Sequence, residues 1–284
     1  MRKGLFIGIN DYKHISRLSG CSNDAMAMAS VLKTDANGDP NFKNVVLTSA
    51  EDHLSREKLE DQIRELFSGD CNVALLYFAG HGGFDNDNDE GMLLPQNYRN
   101  AKDGIRISDI LNWATKATRI KNKVIILDCC QSGAAGEARA LRSESSVVGE
   151  GMTILTACKK EESALEGAQH GVFTGLLLQA LHGGAANILG KITPGSLYSF
   201  VDNALDAWEQ RPVFKTNVSQ FISLREVSPL IPKEILRKLP EWFTEAESVF
   251  PLDPSYEPTE ATFNPDHGEV FAQLQKCNRH SLIE

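Results

Sequence analysis

The sequence predicts an α/β protein whose central sheet is mostly parallel, with helices on both faces. Three observations predict it. Short, largely apolar runs at Val73–Ala79 and Lys123–Asp128 suit strands buried on both sides rather than strands with one wet face. Stretches such as Ser55–Phe67 place Leu59, Ile63, Leu66 and Phe67 on one helical face. The two kinds of segment alternate along most of the chain, and strand–helix–strand alternation implies right-handed crossovers between parallel strands.

In chain order, Lys3–Ile9 reads as an apolar strand and Cys21–Lys33 as a helix with an Ala/Met face. Asn44–Thr48 is the next strand, and Ser55 is a fitting cap for the helix that follows. Val73–Ala79 comes next, then a polar loop and the short Met92–Pro95 segment. A helix capped by Ser108 is expected to run to about Thr118. Lys123–Asp128 and Gly151–Cys158 are further buried strands. Val172–His182 and Pro194–Trp208 are expected helices, the second with Pro at its first turn and Leu197, Phe200, Val201, Leu205 and Trp208 in register. Gln220–Leu224 reads as a last strand. From Arg225 prolines recur, and only Lys233–Phe243 and Gly268–Lys276 look helical. Residues 226–284 are therefore expected to be a separate Pro-rich appendage to a domain of residues 1–225.

Composition narrows the function classes. A net charge of −9 over 284 residues argues against a general nucleic-acid binder and suits attraction to cationic peptide segments. The six cysteines contain no CxxC pair, so neither a zinc ribbon nor a thioredoxin-type motif is expected. Cys71 and Cys158 sit beside apolar runs as buried thiols do, which fits a reducing, cytoplasmic location. Leu5–Ile9 is too short for a signal peptide, and no run approaches the roughly 20 apolar residues of a membrane span. No membrane partner is expected.

Open α/β sheets bind ligands at the carboxyl ends of their strands. Two buried runs here end in reactive residues: Val73–Ala79 leads into Gly80-His81-Gly82-Gly83, and Lys123–Leu127 into Asp128-Cys129-Cys130-Gln131-Ser132-Gly133. A cysteine and a histidine on neighbouring strand ends can form the pair that thiolate attack on a carbonyl requires. The flanking glycines allow close backbone approach and offer N–H groups to an oxyanion. Taken singly, each residue reads as a core thiol or a satisfied loop histidine. The matched pair of Gly-flanked strand ends weighs against that reading.

These segments resemble a known family. Tyr77-Phe78-Ala79-Gly80-His81-Gly82 is similar to the histidine motif of metacaspases, paracaspases and bacterial caspase-like proteins, and Asp128-Cys129-Cys130-Gln131-Ser132-Gly133 to their cysteine motif. Ile7–Tyr12, Leu18–Ala25 and Gly171-Val172-Phe173-Thr174 match further family segments in order, over roughly residues 1–225. The resemblance implies a caspase–hemoglobinase-like three-layer sandwich. It also implies a Cys130–His81 dyad, with the N–H groups of Gly82 and Cys130 as oxyanion hole. Asp24 would line an S1 pocket for a basic residue, joined by Asp128 two residues before the nucleophile and by Cys21. Protein or peptide substrates with basic P1 residues, Arg before Lys, are the expected partners. Related bacterial proteins serve in stress, immunity and cell death. The alternative from another class is a caspase-fold interaction module with little proteolysis.

Neither cofactor nor metal is expected. The acidic run Asp85-Asn86-Asp87-Asn88-Asp89 fails the EF-hand pattern, with Glu90 where Gly is needed and Gln96 where the bidentate Glu belongs. Some metacaspases are activated by calcium on four aspartates. By motif alignment this chain offers Asn97, Asp109, Ile110 and Glu137 there, so strict calcium dependence is not expected. Within residues 1–225 the large-subunit part spans about 1–133 and the small-subunit part about 151–225. The segment 134–150 between them is long for a structureless connection. Its Arg139 and Arg142 are candidate processing sites, for this enzyme or an upstream activating protease.

Overall fold

The structure, a computed structural model, describes residues 1–88, 90–131, 148–157, 170–205 and 212–284, excepting the side chains of Cys130 and Gln131. It forms two compact units: residues 1–186 with 191–227, and residues 187–190 with 228–284.

In the first unit, Arg2–Gly8 (β1) leads to Cys21–Lys33 (α1), Lys43–Thr48 (β2) and Arg56–Leu66 (α2). Cys71–Asp85 (β3), Glu90–Leu93 (β4) and Ile105–Arg106 (β5) follow, then Ile107–Lys116 (α3) and Ile120–Gln131 (β6). Beyond these lie Met152–Thr156 (β7), Val172–Gln179 (α4), Lys191–Ile192 (β8), Pro194–Ala204 (α5), Val213–Asn217 (β9) and Arg225–Glu226 (β10). The sheet runs β2-β1-β3-β6-β7-β9. The first five are parallel, β9 runs antiparallel on β7, and β4 and β5 extend β3 as an antiparallel flap. β8 and β10 form a separate antiparallel pair.

Alternation along the strands divides the core in two, because successive side chains leave a strand on opposite faces. Leu5, Ile7, Leu76 and Phe78 pack on one side with Leu59 and Ile63 of α2 and Ile110 of α3. Phe6, Leu75, Tyr77 and Ile126 pack on the other with Met28 of α1, Leu177 of α4 and Val201 of α5. Helices on both faces of one sheet make the expected three-layer sandwich.

Local chemistry explains several boundaries. Ser55 caps α2 by accepting from Lys58 N at 3.3 Å, as its sequence position predicts. Thr193 and Ser196 form a reciprocal capping box for α5, with Pro194 at its first turn. Ser108 is not a cap. It lies inside α3, and its N–H donates to the Glu90 carboxylate of β4 at 3.1 Å, an outside group that does a capping side chain's work. The expected strand Gln220–Leu224 is also absent. The strand that pairs with β7 is Val213–Asn217, whose polar end, Lys215-Thr216-Asn217, hides an edge strand from an apolar-run reading. Cys158, Asp89 and Trp208 lie outside the described residues.

The second unit contains Lys233–Trp242 (α6) and Pro265–Arg279 (α7). Asn264 caps α7 by accepting from Asp266 N at 2.9 Å, so this helix starts before the expected Gly268. The ring of Phe250 gathers Trp242, Phe243 and Tyr256, with centroids 6.0 to 6.3 Å away, and Tyr256 stacks on His267 at 4.5 Å.

Candidate active site

Both strands that carry the reactive residues are longer than their apolar runs. β3 continues through Gly80-His81-Gly82 to Asp85, and β6 continues through Cys129 and Cys130 to Gln131. The parallel ladder between them persists, so His81 and Cys130 are direct register partners, as are Gly82 and Gln131. On its other side Gly82 pairs with Leu93 of β4. The histidine and cysteine are thus set by strand pairing rather than by loops, side by side at the carboxyl end of the parallel sheet. Cys129, by contrast, is buried in the core.

His81 is held from three directions. Its Nε2 lies 2.9 Å from the carbonyl oxygen of Ser16 and 3.4 Å from the Ser16 hydroxyl. A carbonyl oxygen only accepts, so Nε2 carries a ring proton, which leaves Nδ1 as the nitrogen that can exchange one. The backbone N–H of His81 donates to the Tyr12 hydroxyl at 2.7 Å, and the Tyr12 ring lies against the imidazole with centroids 4.7 Å apart. Gly80 makes this contact possible: a Cβ there would stand 2.6 Å from the Tyr12 hydroxyl oxygen. Burial pushes the Tyr12 phenol well above its ordinary value, which keeps it a neutral hydroxyl at this position.

A second constellation involves Asp24 and Asp128. Asp24 is in the first turn of α1, on its buried face, with a side chain only 4% exposed. Asn10 helps to seat that turn by accepting from Ser22 N at 3.2 Å. Burial raises the Asp24 carboxyl above its usual range, opposed by hydrogen bonds from His170 and Gly171. His170 Nδ1 is 2.8 Å from Asp24 Oδ1, and Gly171 N donates to Oδ2 at 3.4 Å.

Asp128 of β6 is reached by a different chain. The Thr174 hydroxyl donates to Asp128 Oδ2 at 2.5 Å and sits 2.5 Å from the Tyr77 hydroxyl. Because Thr174 spends its only proton on the carboxylate, Tyr77 is the donor to Thr174. Both Tyr77 and Thr174 are fully buried. The two carboxylates meet in front of Gly171. A Cβ built on that glycine would lie 3.4 Å from Asp24 Oδ2 and 3.6 Å from Asp128 Oδ2. Having no side chain, Gly171 puts nothing of its own between the two acidic oxygens, which are at most about 7 Å apart.

The structure therefore brings together Asp24 and Asp128, and the backbones of His81 and Cys130. Cys21 begins α1 three residues before Asp24 and is half-buried. Arg139, Arg142 and Glu137 lie outside the described residues, as does the Cys130 side chain. Sequence reasoning missed the Ser16 carbonyl, Tyr12, His170 and the Tyr77–Thr174 relay. Tyr12, Tyr77 and Thr174 each fall within motifs already noted, and His170 immediately precedes one. Asp85, first residue of the acidic run, is engaged locally. It accepts from Asp87 N at 3.1 Å and from Asn88 Nδ2 at 2.7 Å, bonds that hold its carboxyl below the usual range.

Residues 1–222 match the family model of the caspase domain. The chain belongs to the caspase-domain family. Solved structures share the caspase fold at low identity. A crystal structure of a Geobacter sulfurreducens protein is 18% identical with a TM-score of 0.58, covering 81% of this chain and 98% of that one. Caspase-1 from Spodoptera frugiperda is 15% identical with a TM-score of 0.56, covering 80% of this caspase-domain chain and 90% of its own. The pro-sf-caspase-1 structure gives 15% and 0.52, over 79% and 91%. No curated protein sequence matches the chain. Among the described residues, no helix is long and apolar enough to cross a membrane.

Proposed function

We propose that this caspase domain is a cysteine endopeptidase that cleaves proteins after basic residues, Arg in preference to Lys. The observation that carries the reading is the register of His81 against Cys130 on adjacent parallel strands, next to two carboxylates converging on Gly171.

In the proposed mechanism, His81 accepts the Cys130 thiol proton, and the thiolate attacks the scissile carbonyl carbon. The oxyanion is received by the N–H groups of Gly82 and Cys130. Collapse breaks the C–N bond, and the leaving amine takes the proton from His81. Water, deprotonated by His81, then hydrolyses the thioester and restores the thiol. With Nε2 bonded to the Ser16 carbonyl, Nδ1 is the nitrogen available for these transfers. Every step balances with side chains and water, so the reading calls for no cofactor, and calcium is not part of it.

Asp24 and Asp128, with Cys21 at the rim, form the proposed S1 pocket. Two carboxylates facing one glycine, Asp24 buried and Asp128 half-buried, repel each other and favour a cation between them. A guanidinium presents a planar fork of donors and can bridge both, whereas an ammonium is a point charge. Activation by cutting after Arg139 or Arg142 follows from the same specificity. A cytoplasmic role in a bacterial stress, immunity or cell-death response rests on the motif resemblance.

The test is labelling by an arginine-directed acyloxymethyl ketone, with peptide substrates bearing Arg, Lys or Asp at P1. Wild type should be labelled and should turn over Arg peptides fastest. Cys130→Ala and His81→Ala should lose at least 1,000-fold in kcat, a loss typical of dismantled nucleophile–base pairs. Labelling that survives Cys130→Ala, or equal turnover of Arg and Asp peptides, would refute the assignment.

A further inference from the structure

The two carboxylates of the proposed P1 pocket are wired differently. Asp128 takes its hydrogen bond from Thr174, backed by Tyr77, and both donors are buried in the core between α4 and the sheet. That relay cannot leave without unpacking the domain. Asp24 Oδ1 takes its bond from His170, a side chain 28% exposed over a carboxylate that is only 4% exposed. The imidazole therefore lies on the solvent side of Asp24, ahead of the first residue of α4, and a side-chain rotation suffices to withdraw it.

We propose that His170 is a resident, displaceable occupant of the P1 subsite, an internal competitor that a substrate's basic side chain must lift from Asp24. The proposal rests on the basic-P1 reading of Asp24 and Asp128. Its physical basis is a difference in reach. Of the two carboxylates, His170 engages Asp24, through one nitrogen. Asp24 Oδ2 and Asp128 Oδ2 both face Gly171 and are at most about 7 Å apart, since they lie 3.4 and 3.6 Å from where its Cβ would stand, a span that one guanidinium can bridge. A fork with five donors replaces a ring with one, and the exchange runs toward substrate. Until then the imidazole is the side-chain donor to Asp24 among the described residues, and it satisfies a buried carboxylate whose desolvation costs stability. Competition of this kind lowers apparent affinity by the fraction of time the subsite is filled, and leaves the chemical step untouched.

The experiment uses the full chain carrying Cys130→Ala and titrates agmatine, which bears the arginine guanidinium, by calorimetry and by NMR of the His170 ring signals. Agmatine should shift those signals, and its Kd should fall roughly three- to tenfold in His170→Ala. His170→Gln, which keeps a donor of similar size without the ring, should bind agmatine more tightly than wild type and guards against a folding defect. With Cys130 intact, His170→Ala should lower KM for Arg peptides by a similar factor at unchanged kcat. Agmatine binding that leaves the His170 signals unmoved, or a Kd unchanged or raised in both variants, would overturn the competition. Asp24→Asn separates the two ideas. Agmatine binding unchanged in Asp24→Asn sinks the pocket itself, whatever His170 does. Binding lost in Asp24→Asn without a gain in the His170 variants sinks only the competitor.

Discussion

A single hydrogen atom in place of a methyl group defines the space between Asp24 and Asp128. The φ of Gly171 is −59°, open to any residue, so Gly171→Ala should fold normally. The added methyl, 3.4 and 3.6 Å from the two carboxylate oxygens, would project between them and narrow the space the proposed guanidinium must enter. Arg peptides should lose at least tenfold in kcat/KM with no significant change in Tm; unaltered kinetics would move the pocket elsewhere. On the proposed reading, Asp24 itself trades stability for binding. Burial holds its folded carboxyl above the unfolded value. The fold therefore favours the protonated form, and Asp24 subtracts stability as pH rises through the folded value. Asp24→Asn should raise Tm at pH 7 by a few degrees, at roughly 2–4 °C per kcal/mol for a chain of this size. The gain should vanish at pH values below the unfolded carboxyl's own titration, where both states are protonated. A lower Tm at pH 7 would show that the bonds to His170 and Gly171 outweigh the burial. Asp24, Asp128 and the candidate Cys130–His81 pair were legible as residue types beside recognisable motifs. His170 was not, because nothing in its neighbours marks it as the partner of a carboxylate 146 positions earlier.

Secondary-structure elements show where the sequence reading stops. α1 matches its expected span at both ends, and the buried centres of β3 and β6 lie where their apolar runs predict. The strands' continuation through Gly80–Gly83 and Cys129–Gln131 was hidden, because glycine and polar residues signal a loop. Their extended conformation is fixed by pairing of β3 with β6 and with β4, which is non-local. Extra strand length changes the chemistry, since it places His81 in a ladder with both flanks occupied. The loop after β1 then completes its environment through Tyr12 and Ser16. Tyr12→Phe keeps the ring against the imidazole but leaves the His81 N–H without this acceptor, at a cost of about 1 kcal/mol. We expect kcat to fall roughly three- to tenfold while KM for Arg peptides stays within twofold. A rise in KM alone would place Tyr12 in substrate binding instead.

For the whole molecule, what matters is that the connection between the two halves of the caspase domain joins neighbouring central strands. β7 lies between β6 and β9, with all five residues buried. Just before it, Lys123 Nζ donates to the Glu150 carbonyl at 2.9 Å, Asn217 Nδ2 to the Val148 carbonyl at 2.8 Å, and Gly151 N to the Asn217 carbonyl at 2.7 Å. These bonds tie residues 148–151 to β6 and β9 on the carboxyl side of the proposed cuts. A cut after Arg139 or Arg142 would therefore leave β7 anchored in the sheet by its ladders and by this clasp. Active enzyme should run as two pieces in denaturing gels, with new termini after Arg139 or Arg142 by mass spectrometry. In native size-exclusion chromatography the pieces should elute together at the mass of one chain. The Arg139→Ala/Arg142→Ala protein should stay whole, with the same Tm and at least tenfold lower activity on Arg peptides. Full activity in that uncut protein would refute activation by cleavage, and separation of the pieces under native conditions would refute retention through β7.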